Sequence, residues 1–129
     1  MKKITLYWLA AALSLPAAAL AQDSSAYSRC LNQAETTVAM RDCNAEEIAI
    51  HDQRLNTAYR ALRARMNTRE QQQLRRQQRQ WIRQRDQKVR AAIRAAGNGT
   101  AALLEGDSVY LQQTRQRADQ LEALLARRR

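Results

Sequence analysis

The 129-residue chain carries 22 Lys or Arg against 12 Asp or Glu, a formal net charge of +10, with three Gly, one Pro and no Phe. Its length fits one domain, and a composition led by Gln, Ala, Arg and Leu excludes a β-rich fold and predicts an all-α one. No Ser-His-Asp or Cys-His set, Gly-rich phosphate loop or metal-ligand cluster can be assembled from these residues, so neither an enzyme nor a cofactor or metal site is expected. His51 is the only His and is expected at the surface.

Residues 1–21 read as a cleavable signal peptide. Lys2 and Lys3 form a basic start, Ile4 to Leu20 an apolar run, and Ala19-Leu20-Ala21 a small-x-small cleavage site. The expected product, 22–129, is a single soluble periplasmic or secreted domain that does not span a membrane. It holds both cysteines, Cys30 and Cys43. In an oxidising compartment two such cysteines are read as a disulfide. Closing a loop of that size is worth on the order of 3 kcal/mol.

Ser24 or Ser25 can cap a short first helix with Tyr27, Cys30 and Leu31. Thr36 or Thr37 can cap a long second helix, its inward face reading Met40, Cys43, Ile48, Asp52, Leu55, Tyr59, Leu62 and Met66. Asn67 followed by Glu70 has the form of a capping box and opens a third helix from about Thr68 to Ala96. Gly97-Asn98-Gly99 ends that helix. Thr100 to Glu105 reads as a single turn, after which Asp107 or Ser108 caps a fourth helix with Leu111, Thr114, Ala118, Leu121 and Leu125 inward. The short break between helices two and three makes them an antiparallel hairpin, with the short first helix and the last helix packed on it.

Within helix three, Leu74, Gln78, Trp81 and Arg85 follow four-three-four spacing and share a face. Gln and Arg beside a Trp suggest a buried polar cluster, and a buried Arg needs a carboxylate. Asp52 and Tyr59 lie on the facing seam of helix two. The expected arrangement is a structural network in which Asp52 neutralises Arg85 and the Gln78 amide joins Tyr59 or the Trp81 N–H; a ligand pocket is the alternative. Asp86, one step off the seam, is expected to cap or to pair with Arg83 or Arg90. On the opposite side Arg76, Arg79, Arg83, Arg90 and Arg94 form an exposed basic stripe, a candidate surface for anionic envelope polymers such as lipopolysaccharide or wall material. Export argues against nucleic acid. The N-terminal part is acidic: residues 22–59 hold three Arg and six acids, whereas 60–94 hold twelve Arg or Lys and two acids.

These positions also carry a resemblance. Thr36, Met40 and Cys43 read T-x3-M-x2-C; Asp52, Leu55, Asn56, Tyr59 and Leu62 read D-x2-L-N-x2-Y-x2-L. Leu74, Gln78, Arg79, Trp81, Arg85 and Asp86 read L-x3-Q-R-x-W-x3-R-D, and Thr114, Arg117 and Leu121 close with T-x2-R-x3-L. Over nearly the whole span after residue 21 the chain resembles the LprI-like lysozyme-inhibitor family, small exported helical proteins with paired cysteines. The resemblance implies a protein partner, a lysozyme or other muramidase, held by stoichiometric occlusion. One departure stands out. The family usually has a second cysteine pair, and here Val89 stands near one site and Val109 or Tyr110 near the other. The inhibitor reading uses the acidic end, with Asp42, Glu46 and Glu47 expected to be exposed. An envelope-binding module using the arginine stripe is the alternative.

Overall fold

A computed structural model describes residues 23–128; the expected signal peptide lies outside the described residues. Four helices form in chain order: α1 (Ser25–Gln33), α2 (Thr37–Ala64), α3 (Thr68–Ala95) and α4 (Thr100–Ala126). Each of the first three starts where a short polar side chain satisfies a free backbone N–H. Ser24 Oγ accepts from Tyr27 N at 3.0 Å, and Thr36 Oγ1 accepts from Ala39 N at 3.1 Å. Asn67 and Glu70 form the reciprocal box, 3.0 Å in both directions. At the end of α3 the chain turns through left-handed residues, Gly97 at φ 89° and Asn98 at φ 57°. Gly97 N donates to Arg94 O and Asn98 N to Ile93 O, both at 3.1 Å, which is the Schellman closure of a helix.

The expected break before Asp107 does not occur. α4 is continuous from Thr100 and has no side-chain cap, because the inward stripe starts at Ala102 and continues through Gly106. Asp107 has another use: its carboxylate receives Arg41 Nε of α2 at 2.8 Å.

Cross-links between helices give their directions. Arg41 pairs with Asp107, and Arg54 with Asp119 and Glu122, so positions ascend together and α2 and α4 run parallel. Lys88 bonds Gln113, Gln78 bonds Arg117, and Glu70 pairs with Arg128, so α3 is antiparallel to α4 and hence to α2. The two arms of the expected hairpin touch each other little; α4 packs against both.

The core lies where all three long helices meet. Leu55, Ala58 and Leu62 of α2, Leu74 of α3, and Ala118 and Leu121 of α4 are buried, with Tyr59, Met66, Trp81 and Leu125 against them. Each buried leucine contributes about 1.5–3 kcal/mol. α3 supplies only Leu74 to the fully buried set. α1 supplies no buried residue and is held covalently instead. Cys30 and Cys43 are disulfide-bonded with Cα atoms 5.7 Å apart, and Tyr27 Oη donates to Asn44 Oδ1 at 2.7 Å.

Candidate functional site

The charged side chains on the inner side of α2 form a network that joins three helices. Glu47 is buried, 2% exposed, contrary to its expected place on an exposed acidic end. Ser24 donates to it twice, from its backbone N at 3.0 Å and from Oγ at 2.7 Å. His51, expected at the surface, is also buried, 3% exposed. Its Nδ1 lies 2.8 Å from Arg54 Nη1. A guanidinium can only donate, so Nδ1 accepts and the ring proton sits on Nε2, which donates to Glu47 Oε1 at 3.3 Å. Arg54 then reaches α4: Nε and Nη2 clamp the two oxygens of Glu122 at 3.1 and 2.6 Å, and Nη2 also meets Asp119 at 2.6 Å. Burial pushes the Glu47 carboxyl up, but the Ser24 hydrogen bonds and His51 outweigh it, leaving it below the usual carboxylate range.

The cluster around Arg85 differs from its expected pairing. Its Nε donates to Oδ1 of the neighbouring Asp86 at 3.0 Å, and Nη2 lies 2.9 Å from the same oxygen, so Asp86 pairs with neither Arg83 nor Arg90. The guanidinium lies over two rings, 4.0 Å from the centroid of Tyr110 and 4.9 Å from that of Trp81, a sandwich that favours Arg. Asp52 makes no ion pair with it. Burial raises the Asp52 carboxyl above its ordinary value, and the Arg85 charge lowers it only in part. Gln78 joins neither Tyr59 nor Trp81: its Oε1 accepts from Arg117 Nε at 2.9 Å. Tyr59 sits on the core with Arg63 over its ring at 5.8 Å. The aromatic that shares Arg85 with Trp81 is Tyr110, from α4.

The remaining motif residues have structural positions. Thr36 caps α2, Met40 is half-buried, Leu55 is core and Asn56 is exposed. Thr114 is fully buried, its hydroxyl without a partner among the described residues. Val89 is half-buried, as are Val109 and Tyr110. α3 and α4 approach closely here: a Cβ on Gly106 would lie 2.7 Å from Ile93 Cγ1 and 3.5 Å from Val89 Cγ1.

Two outer surfaces remain. Arg76, Arg79, Arg83, Arg90 and Arg94 are all exposed, and none forms an ion pair among the described residues. The outward face of the first half of α2 has opposite character. Val38 and Ile50 are 67% and 45% exposed, and Asp42, Ala45, Glu46 and Ala49 are exposed beside them. No Lys or Arg stands between Arg41 and Arg54, and both of those are spent on acids of α4.

Sequence reasoning missed Asn44, Glu47, His51, Arg54 and Tyr110. Asn44, Glu47, His51, Leu55, Ala58 and Leu62 have helical three- and four-residue spacing, but following aliphatics alone led to Ile48, which is half-buried.

A short helix stapled by one disulfide to the first of three packed long helices defines an all-α protein. Residues 28–121 match the family described as Lysozyme inhibitor LprI, and the chain belongs to that family. Comparison with curated proteins and with solved structures gives no match. Among the described residues no helix is long and apolar enough to cross a membrane.

Proposed function

We propose that this protein is exported, loses residues 1–21, and binds a muramidase stoichiometrically so as to cover its substrate cleft, with no chemistry of its own. The observation that carries the reading is the family match over 28–121. The α2 face supports a location for the contact. Exposed Val38 and Ile50 offer desolvation energy at an interface centre, and Asp42 and Glu46 offer the charge that attracts a basic lysozyme. Glu47 is not part of that surface.

The experiment is inhibition of c-type, g-type and phage-type muramidases by the purified protein. Complete inhibition at one equivalent is expected for at least one class. Ile50→Arg with Glu46→Lys should weaken it by at least about tenfold, since each reverses the chemistry of an exposed contact. No inhibition of any class at molar excess would sink the reading.

A second reading has one observation behind it, the five exposed and unpaired arginines of α3. They would hold a polyanion such as lipopolysaccharide or wall material. Such binding is ionic and should collapse as salt rises, whereas a packed protein interface weakens less. Replacing Arg76, Arg79 and Arg83 with Gln should abolish retention on lipopolysaccharide if the stripe is used and leave muramidase inhibition unchanged if α2 is.

A further inference from the structure

Between α3 and α4 runs a groove of about 410 Å³, within the range of small-ligand sites. Its walls are amides. Gln77, Gln80 and Gln84 of α3 face Gln113, Gln116 and Gln120 of α4. Both helices use the same spacing, Q-x2-Q-z-x2-Q, where z is Trp81 on α3 and Arg117 on α4. Lys88 also lines the groove, and no acidic residue does.

Outside the groove α3 is mixed, with Arg75, Arg76, Arg79, Arg83 and Arg90 and exposed Gln72, Gln73 and Gln87; along the groove every α3 position except Trp81 and Lys88 is an uncharged amide. Five of the six groove glutamines are exposed, so they are not core. An amide both donates and accepts, and a set of them beside an aromatic ring suits a ligand that carries many hydroxyl or amide groups on an apolar ring. The groove also has unspent positive charge. Arg117 Nε is used by Gln78 and Nη1 by Gln120 at 3.2 Å, but Nη2 is buried without a partner. Nη2 is out of a ligand's reach, but Nε, Nη1 and the Lys88 ammonium hydrogen-bond only to neutral amides, and a carboxylate supplied by a ligand would give this charge an anionic partner.

We infer that the α3–α4 groove is a glycan-binding site: it takes one or two sugar rings beside Trp81, with hydroxyl and acetamido groups on the facing glutamines and an acidic substituent on Arg117 and Lys88. The site contains no residue of the α2 face and none of the five arginines of the outward stripe, so it stands independently of both functional readings. Ligands of this chemistry exist in wall glycan, as muramic acid, and in outer polysaccharides, as uronic acids.

The purified protein is titrated by calorimetry at high salt with three probes: N-acetylglucosaminyl-N-acetylmuramic acid, neutral di-N-acetylchitobiose and a galacturonate oligomer. The Trp81 indole N–H resonance is followed in parallel. Saturable binding of an acidic probe with a shifted Trp81 signal is expected, and whichever acidic probe binds tighter identifies the source. Gln80→Ala with Gln116→Ala should weaken binding by at least about tenfold through lost hydrogen bonds, with an unchanged melting curve because both side chains are exposed. Arg117→Gln should erase the advantage of the acidic disaccharide over chitobiose. Replacing Arg76, Arg79 and Arg83 should change nothing. The inference is overturned if no probe saturates by about 10 mM, an affinity below ~3 kcal/mol, or if the double glutamine variant binds as the parent does. Equal affinity for the acidic and neutral disaccharides would overturn the assignment to Arg117.

Discussion

Glu47 and Asp52 stand five residues apart on α2, and the fold shifts them in opposite directions. Glu47 has its hydrogen-bond donors and is held below the ordinary carboxylate range. It therefore stabilises the fold fully above its unfolded pKa, and that contribution is lost as pH falls through the folded value. Asp52 is raised by burial without a close partner. Its ionised form is disfavoured in the fold, so it weakens the protein at neutral pH, and the penalty disappears once the pH is below the ordinary Asp value. Thermal melts should separate the two. Glu47→Gln is expected to lower stability at pH 7 by about 2 kcal/mol, the scale of lost charge-assisted hydrogen bonds, with the difference shrinking in acid. Asp52→Asn is expected to raise the melting temperature at pH 7 and to have no effect below about pH 4. A fall in melting temperature on Asp52→Asn would mean that the ion pair with Arg85 does form in solution. The sequence pointed the other way because burial of a charge is decided by partners far along the chain. Ser24 is 23 residues from Glu47, and Glu122 is 68 from Arg54. Arg85 found its acid in the adjacent residue because Tyr110 and Trp81 fix where its guanidinium lies.

Helix starts were legible because their chemistry is local: Ser24, Thr36 and the Asn67–Glu70 box each lie within three residues of the N–H they satisfy. Asp107 misled for the same reason, having the chemistry of a cap but facing Arg41 across the α2–α4 interface. The α3–α4 contact offers a test at this scale. Gly106 sits inside a helix, where Ala would ordinarily gain about 1 kcal/mol in propensity. Here the added methyl meets Ile93 at 2.7 Å, and overpacking of that kind costs about 1–3 kcal/mol. Gly106→Ala is expected to be neutral to destabilising rather than stabilising. In the Ile93→Ala background, which clears the space, the same change should stabilise. A double-mutant cycle on melting free energies measures the coupling. Additive behaviour would show that the helices do not approach closely there.

Across the whole molecule stability is unevenly divided. α2 and α4 share most of the buried positions, while α3 contributes Leu74 and half-buried contacts such as Trp81, Val89 and Ile93. Amide hydrogen exchange at neutral pH should therefore show the C-terminal half of α3 opening at lower free energy than the middle of α2 or α4. Equal protection along all three would contradict it. The all-α class, the four elements and the disulfide were readable from composition, spacing and cysteine number. That the last helix packs on the other two was readable as well; that α2 and α3 scarcely touch and that α4 fills the space between them was not, because Ala102 and Gly106 give little periodic hydrophobic signal and act through close approach.

The parallel course of α2 and α4 has a topological consequence. Two parallel helices of this length cannot be joined by a tight turn; the chain must travel back about 40 Å, the rise of some 28 helical residues. An extended linker would need about a dozen residues for that span, all to be ordered without burying anything. α3 is thus first a return strut, whose duty to the fold is to stay helical and to lay one narrow edge on α4. As far as the scaffold alone is concerned, the rest of its circumference answers only to helix propensity and solubility. Arginines and glutamines can accumulate, vary or be exchanged along it without disturbing the scaffold, which makes α3 the part of this protein where new surface chemistry arises most freely.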